Sequence, residues 1–202
     1  MKMNDGSQPG LLCPDDVMAS IIRQLQTDDA GGLATIASLQ ISYPFDPRLH
    51  FLNGSVLAGL QRYDEGRGAM ARAIEIAPDY ALARFQLGFL DLTSGRAVDA
   101  IGVWQPLFNL SEEEPLRIFA EGLTNLVGDN FAEARRLLLK GIELNTDNPM
   151  ISTDMQLILD EIKDGVPQSA GAPTADPSTP SSAAHMLLQQ YELKDSVNAK
   201  KH

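Results

Sequence analysis

ARFQLGFLDLTSGRAVDAIGVW, from Ala83 to Trp104, reads as two helices with Gly95 between them. Small residues stand at Gly88 on the first helix and at Ala100 on the second. Each belongs to a ladder that runs along the chain at a spacing of 34 residues: Ser20, Gly54, Gly88 and Gly122 in one, Gly32, Gly66, Ala100 and Ala134 in the other. Only Gly, Ala or Ser lets two helix axes approach closely, while the larger residues around them interlock as ridges and grooves. A bulky side chain at Gly88 would overpack such a crossing, at about 1–3 kcal/mol. Two ladders in one phase predict an array of helical hairpins. Each hairpin leaves an apolar face that its neighbour covers, so stability is a sum over units and interfaces.

With Pro78 as position 32, the units run 13–46, 47–80, 81–114 and 115–148, and Pro44 takes the same place one unit earlier. The second unit ends RAIEIAPDY, Arg72 to Tyr80. The third has Leu87-Gly88 at positions 7 and 8, Gly95 at 15, Ala100 at 20 and Trp104 at 24. The fourth reads FAEGLTNLVGDNFAEARRLLLKGIELN, Phe119 to Asn145, with Gly122, Ala134 and Gly141 at positions 8, 20 and 27. On these residues the chain resembles the tetratricopeptide repeat family over 47–148, with 13–46 a degenerate match. The resemblance implies an all-α, right-handed α-solenoid of about four hairpins. Departures are Glu112 and Thr146 at position 32, the polar Asn53 at an apolar position, and Pro106 inside the second helix of unit three. That proline predicts a kink near Gln105 or a helix that stops there.

Residues 1–14 read as a flexible N-terminus. Asp15 or Asp16 caps a helix to about Gln26 with Val17, Ile21, Ile22 and Leu25 as its apolar side, and a second helix runs from about Gly32 to Ser42. Residues 149–163 form a further helix with Met155, Ile158, Leu159 and Ile162 on one face, placed to cap the open end of the solenoid (residues 15–164 in all). Residues 165–184 are rich in Pro, Ser and Ala and read as a disordered linker. The tail, 185–202, regains apolar character at Met186, Leu187, Leu188 and Tyr191, a short amphipathic helix.

Composition narrows the function. The chain has 202 residues, a net charge of −11 and a pI of about 4.6. Such acidity, with no basic stripe, excludes nucleic acid as a partner. No stretch approaches the 18 apolar residues of a membrane span, and the N-terminus lacks the apolar core of a signal peptide. The single cysteine, Cys13, excludes an internal disulfide and fits the cytoplasm. The three histidines, His50, His185 and His202, show no metal-ligand spacing. Gly66-Arg67-Gly68 lacks the strand and lysine of a phosphate loop. No catalytic residue, metal or cofactor is expected, and the chain is not read as an enzyme. His50 is expected to pack at the first helix of unit two.

The resemblance also places a site. In that family positions 2, 5, 9, 12 and 13 of each first helix line a concave groove. Here those positions hold Arg48, Phe51 and Ser55 in unit two, then Leu82, Phe85, Phe89 and Leu92 in unit three. Unit four adds Leu116, Phe119, Leu123, Leu126 and Val127. The set lacks the lysines, arginines and asparagines that clamp an acidic C-terminal peptide. It implies a protein or peptide partner with apolar anchors, laid into the groove as a segment or helix. The function implied is that of a cytoplasmic bacterial adaptor or chaperone. The alternative is a structural assembly subunit that self-associates, as a homodimer for instance, through groove or tail. Two further readings stay open: the phenylalanines are simply core, or the tethered tail fills its own groove.

Overall fold

The structure, a computed structural model, describes residues 11–164. Among these residues the chain forms nine α-helices, one 3-10 helix and no strand. In order they are α1 (Asp15–Leu25), α2 (Asp29–Ser42), α3 (Pro47–Gly59), α4 (Tyr63–Ile76), α5 (Ala81–Thr93), α6 (Ala97–Trp104), the 3-10 helix (Gln105–Asn109), α7 (Pro115–Val127), α8 (Phe131–Leu144) and α9 (Pro149–Asp164). The expected linker at 165–184 and the tail with Met186, Leu187, Leu188 and Tyr191 lie outside the described residues.

Local chemistry starts and stops these helices. The carboxylate of Asp28 accepts the Gly31 N–H at 2.9 Å and opens α2. Asp46 accepts the Arg48 N–H at 3.0 Å and opens α3, with Pro47 in the first turn, where its missing N–H costs nothing. Pro115 begins α7 in the same way. At Pro106 the expected stop occurs: α6 ends at Trp104 after 8 residues, and the chain tightens into the 3-10 helix.

The three central hairpin turns are built alike. Gln61 (φ 62°), Gly95 (φ 79°) and Asp129 (φ 57°) take the left-handed conformation, and they stand 34 residues apart. In each turn two backbone N–H groups reach back to the end of the preceding helix. Arg62 donates to the Leu57 carbonyl at 2.9 Å and Gln61 to that of Ala58 at 3.0 Å. Arg96 donates to Asp91 at 2.8 Å and Gly95 to Leu92 at 3.0 Å; Asn130 donates to Asn125 at 2.9 Å and Asp129 to Leu126 at 3.1 Å. This is the Schellman closure, which satisfies the last carbonyls of a helix and reverses the chain. The α1–α2 turn differs. There Thr27 and Asp28 both donate to the Gln24 carbonyl, and Gln26 is right-handed.

The chain divides into two compact units, and the division falls within α5, between Arg84 and Phe85. In the first unit α3 and α4 touch backbone to backbone. A Cβ built on Gly54 would come 2.9 Å from the Gly66 carbonyl oxygen, and one on Gly66 would come 2.9 Å from that of Gly54. The core beside them gathers Cys13, Ile21, Ile36 and Leu49, ringed by Val17, Met18, Leu25, Leu39, Tyr43 and Leu52. Ser20 does not join this packing. It faces solvent, and Ile21 is the residue that α1 buries. The first hairpin therefore crosses without the small residue that the first ladder places on α1, but the second ladder's Gly32 serves on α2, where an added Cβ would overlap the Leu25 side chain.

In the second unit the small residues make room for rings. A Cβ on Gly88 would overlap the indole of Trp104, and one on Gly141 would overlap the ring of Phe119. Trp104 is fully buried and donates its Nε1–H to the Phe85 carbonyl at 3.0 Å. α9 presents Ile151, Met155, Ile158 and Leu159 to the interior, and Ile162 stays half-buried.

Two substitution pairs test this architecture in urea unfolding. Gln61→Gly relieves a non-glycine residue held at positive φ and raises stability by about 0.5–1 kcal/mol, whereas Gly95→Ala lowers it by about 1–2 kcal/mol. Gly88→Ala drives a methyl group into the Trp104 indole and costs about 1–3 kcal/mol. The same change at Gly102, where nothing lies within 4 Å of the added carbon, stabilises α6 by about 0.5–1 kcal/mol. Equal effects at positions 88 and 102 would mean that the glycine spacing carries no packing role.

Candidate functional site

The sequence-derived groove positions separate into two groups. Phe85, Phe89, Leu92, Leu116, Phe119, Leu123 and Leu126 are buried, several of them completely. In the second unit they belong to the core, which is the plainer of the two readings that the sequence allows. The cause is visible in the rings. Phe85 stacks on Trp104 with centroids 6.1 Å apart and lies 6.1 Å from Phe119, and Phe89 stacks on Phe85 at 6.2 Å. The glycine at 141 leaves a hollow on α8 that the Phe119 ring fills. Phe85 and Phe119 thus turn towards the second helices of their hairpins. Burial of one such ring contributes about 1.5–3 kcal/mol, which favours this inward arrangement over exposure.

Phe51 and Leu82, both in the first unit, are only partly buried. Phe51 sits one helical turn after Arg48 on α3, and its ring meets Tyr80 edge to face, centroids 5.3 Å apart at 61°. An edge-to-face pair of this kind adds about 0.5–1.5 kcal/mol beyond area burial and fixes both rings. Burial pushes the Tyr80 phenol up from its ordinary value, with the Arg48 charge opposing it. The phenol therefore stays neutral and offers a donor beside an apolar surface. Arg84, just past Leu82, donates to the Pro78 carbonyl at 2.7 Å and secures the turn into α5.

Arg48 itself is fully engaged. Its Nε donates to Asp46 Oδ1 at 3.0 Å and one terminal nitrogen to Asp46 Oδ2 at 2.8 Å. The other terminal nitrogen reaches Asp15 Oδ1 at 2.6 Å, and the Cys13 carbonyl accepts at 2.5 Å. Asp46 is wholly buried and also accepts the Cys13 N–H at 2.8 Å. Burial alone would raise the Asp46 carboxyl, but the Arg48 side chain and the two backbone N–H donors outweigh it and hold the group below its ordinary value. For the Cys13 thiol burial acts first and the Asp46 charge second, and both push it up, so the sulfur stays protonated. Sequence reading placed Arg48 on the groove and Cys13 in a flexible segment. The signal for their pairing was the Asp46-Pro47 start of α3, which marks a helix cap but does not say what else the capping carboxylate holds.

His50 packs as the sequence implies. Its Nε2 lies 2.9 Å from the Pro44 carbonyl oxygen, and its Nδ1 lies 3.1 Å from Gln40 Nε2. In the second unit Asp91, fully buried, accepts from Arg96 Nε at 2.8 Å and ties the turn at Gly95. Among the described residues no group of three or more His, Cys, Asp or Glu side chains could hold a metal ion. No described helix is long and apolar enough to cross a membrane. Apolar side chains left in solvent include Ile41, Phe45, Val98, Leu139 and Met150.

No protein-family model matches the chain, and no curated protein matches it. Solved structures do. MamA from residue 41 to its end, from Desulfovibrio magneticus RS-1, matches with a TM-score of 0.54 at 15% identity, over 90% of this chain and 95% of that one. The MamA RS-1 ArsTM double mutant matches with a TM-score of 0.54 at 15% identity, over 90% of this chain and 94% of its own. At such identity the likeness is one of fold: the chain is all-α and has the helical-solenoid fold of MamA, a protein of tetratricopeptide type.

Proposed function

We propose that this chain is a protein-interaction module, an adaptor or chaperone that grips an apolar anchor of a partner polypeptide on the first-unit surface of Phe51, Tyr80 and Leu82. The partly buried Phe51 ring, fixed edge-on by Tyr80, is the observation that carries the proposal. A rigid aromatic at a surface contributes contact area at little entropic cost, which is why such rings recur as binding anchors.

The committed state of Arg48 supports the same ligand class. With both faces of its fork on Asp46 and Asp15, it has no free pair of N–H groups to clamp a terminal carboxylate. The surface is thus suited to apolar groups and to an acceptor for the Tyr80 hydroxyl. The TPR-type fold supports an interaction role, since hairpin arrays present their first helices to other chains. Action in the cytoplasm belongs to the same proposal and leans on the single, buried, protonated cysteine.

The test is quantitative co-purification of tagged protein from its host. Phe51→Glu with Leu82→Glu is expected to lower partner recovery about tenfold or more, the loss of one to two anchor contacts. Leu139→Glu, on the exposed side of α8, is expected to leave recovery unchanged. Helical circular dichroism must match wild type in both. Equal recovery from the double variant and wild type would end the proposal. A wild-type dimer in light scattering that becomes monomeric in the double variant would move the assignment to self-assembly.

A further inference from the structure

We propose that residues 11–16 form a releasable end-strap on the first hairpin, latched by the Asp46–Arg48 pair, and that its release uncovers the apolar end of that hairpin together with the Cys13 thiol. The strap is held mainly by polar bonds. Cys13 is its one buried side chain before α1, while Leu11 and Leu12, just ahead of it, stand in solvent and contribute no burial of note. Against this, its backbone is gripped at two points: the Cys13 N–H by Asp46 Oδ2 and the Cys13 carbonyl by Arg48. Asp15 adds a third hold through the other arm of Arg48.

Loss of these bonds leaves the rest of the core in place. Ile21, Ile36 and Leu49 keep their contacts with Val17, Met18, Leu25, Leu39 and Leu52. Opening of the strap is therefore separable from unfolding of the unit. The groups that face the latch are Asp15 and Asp16 of the first helix, Cys13 beside them, Arg48 on α3, and Tyr80 after α4. Among these, Asp46 is the group whose protonation removes the grip. A carboxyl held below its ordinary value contributes its stabilisation above the unfolded pKa and loses it as pH falls through the folded one. The strap thus opens in acid, below pH 3.8, the ordinary value for the group.

Cys13 is the only cysteine, so its reaction with a dipyridyl disulfide, active in acid and at neutral pH, reads the strap alone. Rates are divided by those of the same variant in strong denaturant. In wild type the expected rate is flat across dilute urea and rises as pH falls below 3.8 while helix content is kept. Asp46→Asn, which keeps the helix cap on Oδ1 but removes the charge, is expected to speed labelling about tenfold or more, the loss of the two hydrogen bonds that Oδ2 accepts from Cys13 and Arg48. Asp15→Asn, exposed and outside the core, is expected to speed it about two- to threefold. The proposal is overturned if labelling climbs with urea in step with helix loss, or if both variants label at the wild-type rate. Should Asp46→Asn fail to fold, the urea dependence and the Asp15→Asn rate decide the matter.

Discussion

The close approach of two helices whose side chains are missing at the point of contact is the constraint from which most of this structure follows. Gly54 and Gly66 bring the backbones of α3 and α4 together so tightly that neither position has room for a Cβ. Backbones this close need a turn that reverses within a few residues. The Schellman closures at Gln61, Gly95 and Asp129 supply it, and their spacing of 34 residues repeats the spacing of the glycines. The two features reinforce one another. A turn that fixes where the second helix starts also fixes which residue meets the glycine, and a glycine that admits a close contact rewards the turn that delivers it.

In the second unit the same device has a different use. Gly88 and Gly141 face side chains, not backbone, and the volume they leave is taken by the Trp104 indole and the Phe119 ring. Small residues here act as sockets, and large rings fill them to interior density. The indole N–H on the Phe85 carbonyl keeps the one polar atom of that cluster satisfied. This explains how α6 can be as short as 8 residues: its last residue is anchored by a ring that no longer helix is needed to hold.

The sequence shows the helical pairing because glycine is visible at a fixed interval. It also shows where α6 stops, since a proline inside a helix has a local and nearly inescapable consequence. The left-handed turn is legible only at Gly95. Gln61 and Asp129 adopt it against their intrinsic preference because the hairpin on either side demands it, and no local signal marks that demand. The direction of the rings is hidden for another reason. On a helix, residues 85, 89 and 92 share a side, but which side faces the partner helix is set by the socket at Gly88 and by Trp104, 16 residues further on. The Asp46–Arg48–Cys13 knot is a contact across more than 30 residues and leaves no trace in local pattern. Ser20 marks the limit of counting: it keeps the spacing but lies in water.

These differences converge on the first hairpin. Its turn lacks the left-handed residue, and of its two ladder residues Ser20 faces solvent while only Gly32 packs closely, against Leu25. What it has in their place is polar: the Asp28 cap, the His50 bridge to Gln40 and Pro44, and the carboxylate–guanidinium knot that draws Cys13 inward. Stability in a repeat array is a sum of local terms, so a hairpin weak in packing must rely on other terms or fray. Polar terms respond to pH, to charge and to competing ligands, whereas close-packed glycines respond to none of these. A first hairpin held by a carboxylate and a guanidinium is, for that reason, a part of the fold that answers to pH and charge.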